Sequence, residues 1–292
     1  MLEVAHLTRR FGEKVAVDDV SFEVSAGALT GFVGGNGAGK TTTMRMIMGV
    51  LAVQGGEIRW KGRVVTAVDR RRFGYMPEER GLYPKQPILD QLVYLARLRG
   101  ISAADARGRA TALLERFELG ARGKDKLESL SLGNQQRVQI AAAVIAEPDA
   151  LILDEPFSGL DPVAVDAMAE LLTEYAAKGV PVLFSSHQLE LVERLCHQLV
   201  ILAGGRIVAQ GPVERLRAAG RTRYRLVMDG DNGWLTGFAG ANLLDTSGSH
   251  ALLELDGATP DELLRAALAH GSVREFAEVR SSVADIYRAV TA

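Results

Sequence analysis

Hydrophobic and polar positions divide the chain into blocks of different periodicity. Leu2–Leu7, Val15–Val17 and Val20–Val24 alternate as half-buried strands do, and residues 1 to about 70 read as strand-rich. Within that block Ala28–Val33 is a continuous apolar run, which predicts a buried strand, and Thr42–Met48 has helical spacing. From about 85 to 146 the period turns helical, predicting helices over Ile88–Arg99, Ala103–Phe117 and Asn134–Ala146. Strands and helices then alternate: strand Ala150–Leu153, helix Pro162–Ala177, strand Val180–Ser185, helix His187–His197, and strands Val200–Leu202 and Arg206–Ala209. That order predicts an α/β core with an inserted helical block. A boundary is expected near Gly211–Gly220. Beyond it, strands at Arg223–Met228, Ala251–Leu255 and Val273–Phe276, with helices at Asp261–His270 and Ser282–Val290, predict a small α+β domain. No internal repeat, heptad pattern or low-complexity segment is present.

Composition narrows the classes. A chain of 292 residues has room for about two domains. It is 47% hydrophobic and 24% charged with a formal net charge of −2, an ordinary globular balance that supports no general nucleic-acid or membrane-surface role. The basic residues Arg59, Lys61, Arg63 and Arg70–Arg72 lie among Ile58, Trp60, Val64 and Val65, the solvated face of a strand, so no nucleic-acid partner is expected. The C-terminal block is mildly acidic. Cys196 is the only cysteine, which fits a reducing compartment, and its neighbours Leu191, Val192 and Leu195 make it a core residue. The chain opens directly into a strand, with no signal peptide expected. No run reaches the roughly 18 apolar residues of a spanning helix; Val138–Leu153 is broken by Glu147, Pro148 and Asp149. Membrane association is therefore expected through a partner.

Chemistry concentrates in two places. Gly34-Gly35-Asn36-Gly37-Ala38-Gly39-Lys40-Thr41 is a complete glycine-rich phosphate loop, followed by Thr42. Glycines let the backbone turn tightly and approach a ligand, so its amides can cradle phosphates while Lys40 reaches the β- and γ-phosphates and Thr41 offers its hydroxyl to Mg²⁺. The loop sits between a predicted strand and a helix N-terminus, whose dipole favours an anion. The second place is Ala150–Leu153 followed by Asp154, Glu155 and Pro156. The carboxyl end of a parallel strand faces the ligand crevice, which sets these acids beside the loop: Asp154 to hold Mg²⁺, Glu155 to orient and deprotonate a water.

Further motifs carry a family resemblance. Leu130-Ser131-Leu132-Gly133-Asn134-Gln135-Gln136-Arg137 resembles the signature of ABC-type ATPases, Ser158-Gly159-Leu160-Asp161 resembles their D-loop, and His187 in Ser185-Ser186-His187-Gln188 their switch histidine. Phe11 occupies the place of the aromatic that stacks on adenine. The resemblance covers about residues 1 to 215. It implies a P-loop ATPase with a β-rich N-terminal lobe, a RecA-like core and a helical subdomain at about 85–146, followed by the small domain at 221–292. It further implies ATP and Mg²⁺ as ligands and a sandwich in which Ser131, Gly133 and Gln135 of one copy, with the D-loop Asp161, complete the ATP site of the other. His187 would sense the γ-phosphate. Glu78 stands where the family has a glutamine, and as an oxygen ligand it joins Thr41 and Asp154 in the expected Mg²⁺ set. Gly35 replaces a common proline, and Leu132 and Asn134 alter the signature at two positions.

The Pro77–Tyr83 segment and the L-S-x-G-N-Q-Q form are similar to ATPase subunits of ABC-2-type exporters, including sodium-efflux and multidrug systems. This implies a cytoplasmic subunit held at the inner face of the cell membrane by an integral permease, with Glu78–Tyr83 and the helical block as contact surfaces. Two alternatives stand beside it. A soluble ABC ATPase of DNA repair or translation would typically show tandem cassettes, long coiled coils or zinc cysteines; an idle regulator would be expected to lose Glu155 or His187.

Overall fold

A computed structural model describes residues 1–79, 81–218 and 222–291; Arg80 of the Pro77–Tyr83 segment and Gly220 of the expected boundary lie outside the described residues. Two compact units emerge, Met1–Val213 and Glu214–Val290. The first runs β1 (Leu2–Phe11), β2 (Lys14–Val24), β3 (Leu29–Gly34), α1 (Lys40–Ile47), β4 (Gly55–Trp60), β5 (Arg63–Val64), α2 (Ala67–Arg70) and β6 (Phe73–Met76). Three helices follow, α3 (Ile88–Leu98), α4 (Ala103–Arg116) and α5 (Leu132–Val144). The chain then returns through β7 (Ala150–Leu153), α6 (Pro162–Ala177), β8 (Val182–Ser186), α7 (Leu189–Leu195), β9 (Gln198–Ala203) and β10 (Arg206–Pro212).

Two sheets form from these strands. An antiparallel sheet has the order β2-β1-β4-β5, and a six-stranded sheet has the order β10-β9-β3-β8-β7-β6. In the larger sheet β3 pairs in parallel with β8 and β9, β7 with β8 and β6 with β7, while β10 closes one edge antiparallel to β9. Central parallel strands are covered on both faces, which explains why β3 and β7 are wholly buried and, apart from Thr30 in β3, carry no polar side chain. The two sheets share one core with α1: Leu7, Phe22, Ile58 and Trp60 meet Phe32, Met44, Ile47, Phe73 and Ile152. Ring contacts tie it together, with Phe22 and Phe32 at 5.1 Å and Trp60 edge-on to Phe73 at 5.0 Å. Each such buried apolar side chain contributes about 1.5–3 kcal/mol.

The expected α/β core with inserted helices is what forms, with shifts at the element ends. α5 begins at Leu132 rather than Asn134 because Ser131 caps it, the hydroxyl accepting from Asn134 N–H at 3.4 Å. α1 begins at Lys40, two residues ahead of the expected start at Thr42, since the loop delivers the chain directly into a helical turn. β6 was not predicted: four residues containing Gly74 carry too little alternation to declare a strand, and its pairing with β7 supplies the order.

The second unit begins within α8 (Val213–Ala218) and continues β11 (Arg223–Met228), β12 (Ala241–Ser247), β13 (His250–Leu255), α9 (Pro260–His270), β14 (Val273–Val279) and α10 (Val283–Thr291). Its sheet is antiparallel in the order β12-β13-β11-β14. Leu226, Met228, Leu253, Leu263 and Ala267 make its core. Thr259 and Glu262 form a capping box that starts α9. Arg223 pairs with Glu254 at 3.0 Å and with Asp285 at 2.9 Å, tying α10 to the sheet. β12 went unrecognised because a polar edge strand with most positions exposed shows no apolar face. Among the described residues of both units no helix is long and apolar enough to cross a membrane.

Candidate active site

The sheet order places the chemistry. The loop after β3, His187 after β8, Asp154 and Glu155 after β7, and Glu78 after β6 leave the carboxyl ends of strands that are successive neighbours in the sheet. Ligands collect at such an edge because the connecting loops open a crevice there.

The phosphate loop is held by short-range geometry. Gly39 has φ +106°, and a Cβ there would stand 2.5 Å from Ala16 O; a Cβ at Gly34 would stand 2.6 Å from Leu202 O. Neither position admits a side chain. Lys40 is buried, and its Nζ donates to Gly34 O at 2.6 Å and Gly35 O at 3.3 Å. Thr43 Oγ1 donates to Gly39 O at 2.9 Å, bracing the first turn of α1. Thr41 Oγ1 donates to Glu78 Oε2 at 3.4 Å, so the two residues expected to share a cation already touch. Together with Phe11, Lys14, Asp154 and Glu155, the loop from Gly35 to Thr42 and Glu78 line a cleft of about 390 Å³. Phe11 is 48% exposed, and the Arg9 guanidinium lies 4.9 Å from its ring centroid. Lys14 was not singled out from sequence; a lysine at the start of an alternating strand carries no signal of its own.

The acids are held from farther away. Asp154 is wholly buried; its Oδ1 accepts from Ser185 Oγ at 2.6 Å, while Oδ2 is buried with no hydrogen-bond partner among the described residues. Glu155 has φ +51°, a left-handed conformation that costs a non-glycine residue about 1–3 kcal/mol and persists only where its surroundings enforce it. Three neighbours do so. Ser185 Oγ accepts from Glu155 N–H at 2.8 Å, the Gln136 amide donates to Glu155 O at 2.9 Å and Pro156 O at 3.1 Å, and His187 Nδ1 donates to Glu155 Oε2 at 2.9 Å. The Glu155 side chain is 14% exposed and that of His187 63%. Burial pushes the nearby Tyr75 phenol above its usual range, and the negative Asp154 adds to the effect. Gln136 appeared in the sequence only as a letter of the signature; no local pattern marks an amide whose partners lie 19 and 20 residues away.

Ser131, Gly133, Gln135 and Asp161 are not among the residues lining the cleft. Ser131 is exposed at the start of α5. Gly133 packs so close to the D-loop that a Cβ would meet Gly159 O at 3.0 Å. Asp161 caps α6, accepting from Ala164 N–H at 2.9 Å, and pairs with Arg137 at 3.5 Å. Gln135 is buried, and its amide donates to Leu130 O at 2.8 Å. A side chain so engaged braces the signature turn from within its own chain.

The cation donors offered are all oxygen, as a hard divalent ion requires, and the orphaned Asp154 Oδ2 is the kind of atom such an ion satisfies. Among the described residues no group of three or more His, Cys, Asp or Glu could hold a metal ion without further ligands. Substrate phosphates would have to complete the shell.

Known proteins resemble this chain in sequence and fold. Residues 17–158 match the family described as ABC transporter, and residues 211–291 match the ATP-binding protein DrrA1-3-like, C-terminal domain. The chain is 41% identical to the uncharacterized ABC transporter ATP-binding protein YhaQ of Bacillus subtilis, over 98% of this chain and 97% of that one. It is 38% identical to the Nod factor export ATP-binding protein I of Paraburkholderia xenovorans, over 75% of this chain and 73% of the relative. Among solved structures, an ATP-binding subunit of an ABC transporter superposes with a TM-score of 0.70 at 36% identity, covering 75% of this chain and 92% of that one.

Proposed function

The chain belongs to the ABC transporter family as an ATP-binding, ATP-hydrolysing subunit, and from that premise we propose that two copies close around ATP and drive a separate membrane permease in the direction of export. The observation that carries the dimer is the split of the motifs: the loop and acids line one cleft, while Ser131 and the amides at the start of α5 stand apart from it. Free helix N-terminal amides suit a phosphate, so these residues serve the cleft of the second copy.

Within the cleft, Phe11 stacks on adenine and the amides from Gly34 to Thr42 cradle the phosphates, with Lys40 on the β- and γ-oxygens. Glu155 takes the proton of the attacking water, and the His187 imidazole, already on the Glu155 carboxylate, is placed to hold that carboxylate and meet the γ-phosphate. Thr41, Asp154 through Oδ2, and Glu78 are the residues that would hold Mg²⁺, which when bound with ATP would neutralise phosphate charge. Residues 1–215 act as the ATPase domain and 221–292 as an accessory domain.

Export is supported by the Nod factor relative's name and by the Pro77–Tyr83 form. Tyr83, just ahead of the helical block, and Tyr94 and Leu98 on it are exposed large side chains, the kind a permease would cover, which supports a subunit at the cytoplasmic face of the membrane. The relatives named above are transporter subunits, which disfavours the soluble repair or translation alternative. Complementation tests the composite site. Lys40→Ala and Ser131→Arg chains, each inactive alone, should recover about a quarter of wild-type ATPase activity per mole when mixed in equal amounts, if pairing is random and each mixed dimer retains one intact site. No recovery on mixing overturns the shared site.

A further inference from the structure

β7 and β8 part company where the chemistry begins. Leu153 is the last β7 residue in register with β8, opposite Phe184. Beyond it the Asp154 N–H turns to the other neighbour, donating to Met76 O at 2.8 Å, and Glu155 enters its left-handed conformation. The Glu155 N–H has thereby left the ladder. Its acceptor is the Ser185 hydroxyl, at 2.8 Å, in place of a strand carbonyl. The proton of that same hydroxyl goes to Asp154 Oδ1 at 2.6 Å. Ser185 and Asp154 are both wholly buried, so water competes for neither contact. A hydroxyl has one proton and lone pairs to spare; here the single Oγ accepts from one acid's backbone and donates to the other acid's side chain.

We propose that Ser185 is a positioning residue for ATP hydrolysis, one buried hydroxyl that sets both the Asp154 carboxylate and the Glu155 backbone. The inference rests on the roles given above to Asp154 and Glu155. Donation to Oδ1 fixes the carboxylate plane and leaves Oδ2, the oxygen without a hydrogen-bond partner among the described residues, to face a cation. Acceptance from Glu155 N–H holds the left-handed turn that aims the Glu155 side chain at His187. Hydrogen-bond partners of metal-ligating groups typically matter by about 10–100-fold in affinity or activity when removed. A serine that only satisfied two buried groups would affect folding and nothing else.

Three variants of the full chain separate these roles: Ser185→Ala, Ser185→Cys and Ser185→Thr. Ser185→Ala should lower kcat about 10–100-fold with KM for ATP little changed, and should weaken Mn²⁺ binding in the presence of a non-hydrolysable ATP analogue about tenfold, read by electron paramagnetic resonance. Ser185→Cys fills the same place with a weak donor and acceptor and should show the same losses, keeping the question answerable if the alanine variant does not fold. Ser185→Thr retains the hydroxyl and should restore both readouts. Wild-type kcat and Mn²⁺ affinity in folded Ser185→Ala or Ser185→Cys overturns the proposal, as does a loss that Ser185→Thr shares in full. Glu155→Gln serves as the reference. If it hydrolyses ATP normally, the assignment of Glu155 falls; if it is inactive while Ser185→Ala is unimpaired, only the role of Ser185 falls.

Discussion

The phosphate loop and the acidic end of β7 face one cleft but are assembled in opposite ways. The loop is braced by its own neighbours: Lys40 bonds Gly34 and Gly35, Thr43 bonds Gly39, and Ala38 N–H bonds Gly35 O. Asp154 and Glu155 are braced from Gln136, Ser185 and His187, on other elements and 19 to 32 residues away. The loop's bracing hydrogen bonds therefore close within it, whereas the acids depend on the relative placement of α5, β7 and β8. Binding and turnover should be separable by mutation along that line.

The largest separation should come from Glu155→Gln, which keeps size and hydrogen-bonding capacity but removes the base. Steady-state ATPase assays should show turnover reduced by about 10²–10⁴-fold, the range for a positioned general base, with ATP affinity retained. Lys40→Ala is the opposite case. It removes charge-assisted bonds to phosphate and should weaken ATP binding in calorimetry by about 10–100-fold. If Lys40→Ala bound ATP normally and lost only turnover, the contrast between the two regions would disappear.

Gln136→Ala gives a smaller effect on the acid side. Losing the bonds to Glu155 O and Pro156 O should reduce turnover by about tenfold or less while leaving ATP affinity unchanged. The smallest effect on catalysis belongs to Asp69, outside the cleft, where Arg63 and then Thr66 hold the carboxyl well below the usual carboxylate range. A depressed folded-state pKa contributes stability that is fully present above the unfolded value and is lost as pH falls through the folded one. Asp69→Asn should therefore lower the melting temperature by a constant amount at neutral and mildly acidic pH, with the gap closing only below about pH 4. ATP affinity and turnover should stay as they are.

The same contrast explains what could be read from the residues alone. The loop was legible because its pattern is contiguous: spaced glycines, then lysine and threonine at the head of a helix. The β-α alternation and helical block were legible because burial on one or both faces leaves a period. Gln136 in its observed role, and Ser185, were opaque because their partners lie 19 to 31 residues off, and a serine two places before a histidine carries no pattern. Gln135 likewise bonds Leu130 O within the signature turn, a contact that the motif's letters do not announce. β6 and β12 escaped for lack of an apolar alternation, their order coming from pairing with β7 and β13.

The central claim is that this cleft is half of an ATP site and that a second copy closes it. The most direct measurement is the molar mass of the Glu155→Gln chain in solution, by light scattering, with and without ATP and Mg²⁺. The mass should double when ATP is added and fall back when ATP is exchanged for ADP. A Glu155→Gln chain that binds ATP yet stays a monomer at every protein concentration tested would contradict the account.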